Sequence, residues 1–161
     1  MRLYKSKFKL VRKTIYTKTI EMKYFINTIS KDHVMIGKEK GIVQAGHGKK
    51  APLQKLHKDD YVIFYSPKTS SKDGELLQSF TAIAQIKDDQ IYQVGLTDNF
   101  KPFRRNTVYL DCKEAPIHSL IEKLEFTVNK KSWGYKFRFG LFGINRKDFL
   151  LIAKAMEAKT I

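Results

Sequence analysis

The chain has 161 residues, of which 42% are hydrophobic and 12% aromatic, enough for one globular domain with a buried core. Its 31 basic and 16 acidic residues give a net charge of +15, which favours polyanions as partners, nucleic acid ahead of an anionic membrane surface. No apolar run is long enough to span a membrane. The chain has a single cysteine, Cys112, which excludes an intramolecular disulfide and favours a reducing compartment, the cytoplasm. A basic protein without a particular partner is the alternative.

Residues 1–21 form a basic segment that differs from the rest of the chain. They carry seven basic residues and one acidic residue. They lack the long apolar core and the small-residue cleavage site of a secretory signal. We expect either a disordered basic arm or the product of a start codon assigned upstream of Met22. A single domain is then expected over residues 22–161.

The first predicted elements are a strand and a short helix. Residues 23–29 are rich in aromatic and β-branched side chains, which predicts a strand with one unexpected amide, Asn27. Ser30 is a suitable N-cap for the helix that follows. Gly37 or Gly41 should end that helix.

A glycine-rich loop over residues 44–53 follows the first helix and concentrates the candidate binding chemistry. Residues 46–50 read Gly-His-Gly-Lys-Lys. Glycine permits positive φ and close approach of a ligand to the backbone, and consecutive N–H groups in such a turn can form an anion-binding nest. We interpret the loop as one lip of a pocket for a nucleotide or base. A flexible, solvated surface loop is the alternative.

Four strands are predicted in the middle of the chain. Residues 61–66 are nearly all apolar, which is typical of a strand buried on both faces, and Pro67 should end it. Further strands are predicted over residues 79–87, 91–94 and 103–110. Many short strands with a few short helices predict an α+β domain built on a curved sheet or a small barrel.

The last third of the chain predicts a helix, a strand and a second helix. Pro116 should open an amphipathic helix with Ile117, Leu120, Ile121 and Leu124 on its apolar face. The alternation in residues 133–140 predicts a strand. Its core face would carry Tyr135, Phe137 and Phe139, and its solvent face Lys136 and Arg138. Asn145 should cap the last helix, whose buried side would consist of Phe149, Ile152, Ala153 and Met156.

Six motifs carry a resemblance to a known family. They are SKDHV at residues 30–34, QAGHGK at 44–49, YSPK at 65–68, QSFTAIA at 78–84, FKPFRR at 100–105 and WGYKFRFG at 133–140. On these motifs the chain, from residue 22 to about residue 156, resembles the EVE domain family in its bacterial and archaeal branch. The resemblance implies a PUA-like fold, a small mixed β-barrel flanked by helices. It also implies a reader of modified bases, with the base held between the barrel and the first helix.

Candidate site residues follow from the chemistry that such a reader needs, namely aromatic rings, amides and backbone N–H groups around a base taken out of its stack. The base-pocket candidates are Asn27, Gln44, Gly46, His47, Gly48, Phe103 and Trp133. The phosphate-binding candidates are Lys49, Lys50, Lys68, Arg104, Arg105 and Arg138. Relatives often carry tryptophan where this chain has Phe25 and Phe103, and phenylalanine stacks over less area. Packing is the alternative role for Phe103 and Trp133, and a solvated strand face is the alternative for Arg138.

Enzymatic interpretations are poorly supported by the sequence. The spacing from Gly41 to Gly46 approaches that of a phosphate-binding loop, but His47 stands where the lysine is required. Four histidines and one cysteine at wide spacing predict no zinc site. We therefore expect a non-enzymatic module without a cofactor or metal that binds DNA or RNA and no membrane. The alternatives are a binder of structured transfer or ribosomal RNA without modification specificity, and a small nucleotide-acting enzyme with His47 as its acid or base.

Overall fold

A computed structural model describes residues 21–159, so all of the predicted basic arm except Glu21 lies outside the described residues. The strands in the described range are β1 Tyr24–Thr28, β2 Ile42–Val43, β3 Tyr61–Lys68, β4 Leu76–Ile86, β5 Tyr92–Gln93, β6 Phe103–Tyr109, β7 Ala115–Pro116 and β8 Leu141–Ile144. The α-helices in that range are α1 Lys31–Lys40, α2 Lys50–Leu53 and α3 Arg146–Ala155. None of these helices is both long enough and apolar enough to cross a membrane.

The strands form one mixed sheet in the order β2-β6-β4-β3-β1-β8, with β5 beside β6 and β7 beside β4. Strands β1 and β3 run parallel, and the other pairs are antiparallel. The sheet curls into a half-barrel, and the prediction of an α+β domain on a curved sheet is confirmed.

The central strand β3 is covered on both faces, as its apolar sequence predicts. Ile63 packs into one core cluster with Phe149 of α3, and Val62 packs into a second cluster with Val34 of α1 and Leu53 of α2. Because successive strand residues point to opposite faces, a single strand serves both cores. The sheet therefore needs helices on each side.

Several predicted boundaries agree with the structure, and one is wrong. The first helix ends at Gly41, whose φ of 63° is the left-handed conformation of a helix C-cap. Asn145 caps α3 by accepting a hydrogen bond from the Asp148 N–H. Pro67 does not end β3, which continues to Lys68. The register with β4 instead shifts between Ser66 and Lys68, because proline has no N–H to donate to the ladder.

The amphipathic helix predicted after Pro116 is wrong. Only a 3₁₀ helix, Ile117–Ser119, forms there, followed by turns. The backbone groups needed to continue the helix are used elsewhere, since Thr127 Oγ1 donates to the Ile121 carbonyl and the Asp148 carboxylate accepts from the Glu125 N–H. The helical spacing of the apolar residues reflects burial, with Ile117, Leu120 and Leu124 all in the core.

The strand predicted over residues 133–140 is also wrong. Tyr135–Phe139 is a 3₁₀ helix, hereafter the aromatic turn, and it leads directly into β8. Only Phe137 is buried, with its ring 3.9 Å from that of Tyr65, whereas Tyr135 and Phe139 are 57% and 62% exposed. The three rings therefore do not share a face. Gly140, at φ 71°, ends the turn in a conformation that side chains rarely adopt.

We predict that Phe137→Ala lowers the free energy of unfolding by about 3–5 kcal/mol, because it removes a ring enclosed by other aromatic rings. Phe139→Ala is the matched control and should change stability by less than about 0.5 kcal/mol, because that ring is exposed. Urea unfolding of both variants makes the comparison. Equal losses would contradict the assignment of Phe137 as the buried anchor.

Candidate functional site

A cavity of about 560 Å³ opens where β1 and β3 end. Because the two strands are parallel, their carboxyl ends meet at the same edge of the sheet. The amino end of α1, the glycine-rich loop and the aromatic turn complete its walls. The predicted site residues that line the cavity are Asn27, Gln44, Gly46, His47, Gly48, Lys68 and Arg138.

The glycine-rich loop approaches the cavity in a left-handed conformation. Gly46, His47 and Gly48 have φ values of 56°, 59° and 80°. A Cβ atom at position 48 would lie 2.6 Å from Pro102 Cβ, so only glycine fits there. The Gly48 N–H donates to the Ala45 carbonyl, so this N–H is not free for an anion and the predicted nest is incomplete. His47 is exposed at the cavity lip.

Gln44 is held by hydrogen bonds at both its backbone carbonyl and its side chain. Its carbonyl accepts a hydrogen bond of 2.9 Å from Asn27 Nδ2, and its side-chain Oε1 accepts one of 2.6 Å from Arg104 Nε. These bonds engage the Asn27 amide nitrogen and the Gln44 amide oxygen, which leaves the donor Gln44 Nε2 and the acceptor Asn27 Oδ1 wholly unused. Neither has a hydrogen-bond partner among residues 21–159, and both residues line the cavity.

Arg104 supports the cavity from behind instead of meeting solvent. Its side chain is only 8% exposed and does not line the cavity. Within the described range no carboxylate lies within ion-pair distance of it. The prediction that Arg104 faces a phosphate therefore needs correction, since its visible partner is the amide of Gln44.

Charges of both signs lie close to the cavity. Desolvation raises the pKa of Asp32, but the hydrogen bonds that this carboxylate accepts from Ser30 Oγ and the His33 N–H outweigh it, and the pKa is lowered. A charged Asp32 therefore occupies the helix amino end, where an anionic ligand would otherwise be favoured. The exposed cations at the rim are Lys68 and Arg138.

Arg105 is a second correction. Its guanidinium is 2% exposed and donates to the carbonyls of Leu53, Leu56 and Asp88, with an ion pair to Asp89. These bonds tie the end of α2 and the β4–β5 connection to β6. Arg105 is thus a structural residue without a surface from which to bind phosphate.

Four further candidates lie away from the cavity lining. Phe103 packs against the second core cluster with Lys50 Nζ 5.8 Å from its ring centre. Trp133 packs 6.3 Å from Phe137 and 6.1 Å from His118, between ring centres. Lys49 and Lys50 are exposed beside the loop but do not line the cavity. Packing, the alternative considered for Phe103 and Trp133, is what the structure shows.

Phe100 is an aromatic lining residue that sequence reasoning missed. It is 42% exposed and lies against Gly48, with its Cε2 3.5 Å from the position of a Cβ atom at that glycine. It opens the FKPFRR motif, in which the second phenylalanine was the predicted pocket residue. The feature of the sequence that could have indicated this contact is Gly48, because a glycine in a loop often marks a place where another group comes close to the backbone.

We predict that Arg105→Ala lowers the free energy of unfolding by about 2–4 kcal/mol, because buried carbonyl groups lose their donor. Lys49→Ala, which removes an exposed cation of the same region, should leave stability unchanged within about 0.5 kcal/mol. Thermal or urea unfolding measures both. A stable Arg105→Ala protein would show that the buried guanidinium is not needed for the fold.

Comparison with known proteins agrees with the motifs. The sequence profile described as "EVE domain" matches residues 22–155. A UPF0310 protein from Mycolicibacterium vanbaalenii is 50% identical over 139 residues, which is 86% of this chain and 96% of that protein. A UPF0310 protein from Bacillus subtilis is 44% identical over 133 residues, covering 83% and 91%.

Two solved structures share the fold at low sequence identity. A hypothetical protein from Leishmania major superposes with a TM-score of 0.54 at 10% identity, over 85% of this chain and 96% of the other. The protein Rpa0253 from Rhodopseudomonas palustris gives a TM-score of 0.52 at 14% identity, over 84% and 94%.

Proposed function

Since the chain belongs to the EVE domain family, we propose that it is a nucleic-acid-binding module whose cavity receives one base, with a preference for a modified base. The observation that carries the proposal is the pair of fixed amides in the cavity wall, Gln44 and Asn27, below a rim that bears Lys68 and Arg138. This arrangement combines groups that recognise a base edge with cations that bind a phosphate backbone.

The two amides suit the edge of a nucleobase. Gln44 Nε2 is a donor and Asn27 Oδ1 is an acceptor, and base edges carry acceptors and donors side by side. The Gln44 amide is already oriented by Arg104, and the Asn27 amide by the backbone carbonyl of Gln44, so little side-chain freedom is lost when the base enters. A cavity of about 560 Å³ is also within the usual range for a small-molecule site.

The cavity offers apolar surface beside its amides, which supports the preference for a modified base. Ile29, Ala45 and Pro67 line it together with the polar groups. A methyl group on the base would be transferred from water to contact with this apolar surface. Burial of one methyl or methylene group contributes roughly 0.8 kcal/mol to the free energy of binding. An unmodified base gains no such term.

The cations at the cavity rim and the net positive charge would add binding energy to that of the amides and the apolar lining. Taking a base out of its stack costs a few kcal/mol, which contacts in the pocket and with the backbone must offset. Lys68 and Arg138 are exposed on two sides of the cavity, and the chain carries a net charge of +15. Affinity should therefore fall steeply as the salt concentration rises.

We propose that the module acts without catalysis. His33 and His47 are the imidazoles in the described lining, and that lining contains no carboxylate and no cysteine. Among residues 21–159 no carboxylate lies within ion-pair distance of His47. The carboxylate of Asp32, which lies 3.6 Å from His33 Nδ1, accepts hydrogen bonds from Ser30 Oγ and the His33 N–H, as a helix-capping group does.

The first test compares single-stranded oligonucleotides of one sequence, in DNA and RNA, that carry at one central position either a plain base or its methylated form. Cytosine and adenine with their 5-methyl and N6-methyl derivatives are a suitable panel. We predict about fourfold tighter binding of one methylated form at fixed salt, the factor that corresponds to burial of one methyl group, measured by fluorescence anisotropy. Equal binding across the panel would favour recognition of RNA by shape and charge alone.

The second test changes the donor in the cavity wall. Gln44→Glu keeps the partner of Arg104 but replaces the Nε2 donor by an oxygen, so two acceptors face the guest. We predict that the ratio of affinities between the preferred and the other base of the panel, cytosine against adenine, falls at least about fivefold, while the melting temperature is kept or raised.

Gln44→Met is the control for the added charge in this experiment, because it removes the donor without adding an anion. A loss of discrimination in both variants assigns the effect to the donor. If Gln44→Glu weakens binding to every oligonucleotide equally and Gln44→Met does nothing, the amide has no part in choosing the base.

A further inference from the structure

Three aromatic rings of residues 21–159 are exposed, one in the cavity lining and two on the aromatic turn beside it. They are Phe100, Tyr135 and Phe139, and every other aromatic side chain in that range is buried or half-buried. Phe100 lines the cavity from one side. Tyr135 and Phe139 belong to the aromatic turn, whose intervening residues Phe137 and Arg138 line the cavity from the other side. Tyr135 and Phe139 are also in contact with each other, and adjacent exposed apolar side chains mark a candidate interaction site.

The two rings of the aromatic turn are held outward by the core. Phe137 is fixed among Tyr65, Phe126 and Phe142, at ring-centre distances of 3.9, 5.8 and 5.7 Å. With Phe137 pointing inward, Tyr135 and Phe139 point outward and meet edge to face, 5.5 Å apart at 88°. The pair is therefore positioned before any ligand arrives.

The charge around this pair is positive. Residues 130–140 contain Lys130, Lys131, Lys136 and Arg138 and no acidic residue. Arg138 lies 6.0 Å from the ring centre of Tyr135, and Lys136 Nζ lies 5.8 Å from that of Phe142. An aromatic surface surrounded by cations is complementary to a base with its phosphate, because the ring stacks on the base and the cation meets the anion.

We propose that Tyr135 and Phe139 form a second binding site, a stacking platform for the nucleotide next to the one whose base enters the cavity. Arg138 lines the cavity and also contacts the platform, which places it to bind the phosphate between the two nucleotides. The inference rests on the proposed function, since it requires that one strand occupies the cavity and the platform together. The occupant is a single-stranded segment, because a paired base has its faces covered by its neighbours in the helix.

The test separates the platform from the cavity by ligand length. The probes are a labelled single-stranded oligonucleotide of about ten nucleotides with one central methylated base, and the corresponding methylated nucleoside monophosphate. We expect Tyr135→Ala with Phe139→Ala to lower affinity for the oligonucleotide at least about tenfold and to leave affinity for the mononucleotide unchanged.

Two control proteins accompany the double variant. Tyr135→Phe with Phe139→Tyr keeps both rings and should bind the oligonucleotide as the parent protein does. Val108→Ala removes an exposed apolar side chain from β6, which contributes nothing to the cavity lining, and should also have no effect.

The outcomes distinguish the two proposals. If the double alanine variant binds the oligonucleotide like the parent protein, or loses the mononucleotide equally, the platform is refuted. If the parent protein does not discriminate methylated from plain oligonucleotide but the double variant still loses oligonucleotide affinity, the modified-base proposal fails and the platform stands. If the parent protein binds no oligonucleotide, both are refuted.

Discussion

The parallel pairing of β1 with β3 is the constraint on which the cavity depends. Tyr24 to Thr28 pair in register with Tyr61 to Tyr65, so both strands end at the same edge of the sheet. A parallel pair requires a crossover connection, because the chain must return to the starting edge before the second strand begins. Here the crossover contains α1, β2, the glycine-rich loop and α2. The loop and the start of α1 therefore lie over the strand ends, and the cavity is the space that the crossover leaves there.

The adjacent arginines of β6 hold this crossover in place. Successive strand side chains point to opposite faces, so Arg104 and Arg105 reach different partners. Arg105 donates to the carbonyls at the end of α2, and Arg104 donates to the side chain of Gln44. A pair of basic residues in a basic protein indicates phosphate binding, but the structure uses both guanidinium groups within the fold. They donate to neutral groups of the crossover, and Arg105 also bonds Asp88 and Asp89 between β4 and β5. They fix the positions of Gln44 and of the end of α2.

Sequence reasoning succeeded where the pattern of apolar residues was compatible with only one kind of secondary structure. The buried strand β3, the helix α1 with its glycine C-cap and the capped helix α3 were predicted, and the family and its PUA-like fold are confirmed. The aromatic turn was mistaken for a strand because aromatic and basic residues alternate there. The contacts that decide its conformation, Phe137 among distant aromatic rings, are not visible in the local pattern. For the same reason, the exposure of Tyr135 and Phe139 was not predictable.

The site that results has two parts of different rigidity, and this difference separates their physical roles. Gln44 and Asn27 are fixed by hydrogen bonds within the fold, so they are suited to distinguishing one base edge from another. Lys68 and Arg138 are exposed and long, so they can follow a phosphate backbone but cannot identify a base. The rings of the aromatic turn lie between these extremes, because their position is fixed but stacking accepts any base. Under the proposed function, the choice of base therefore resides in the fixed amides behind the glycine-rich loop, and affinity resides in the surface around them.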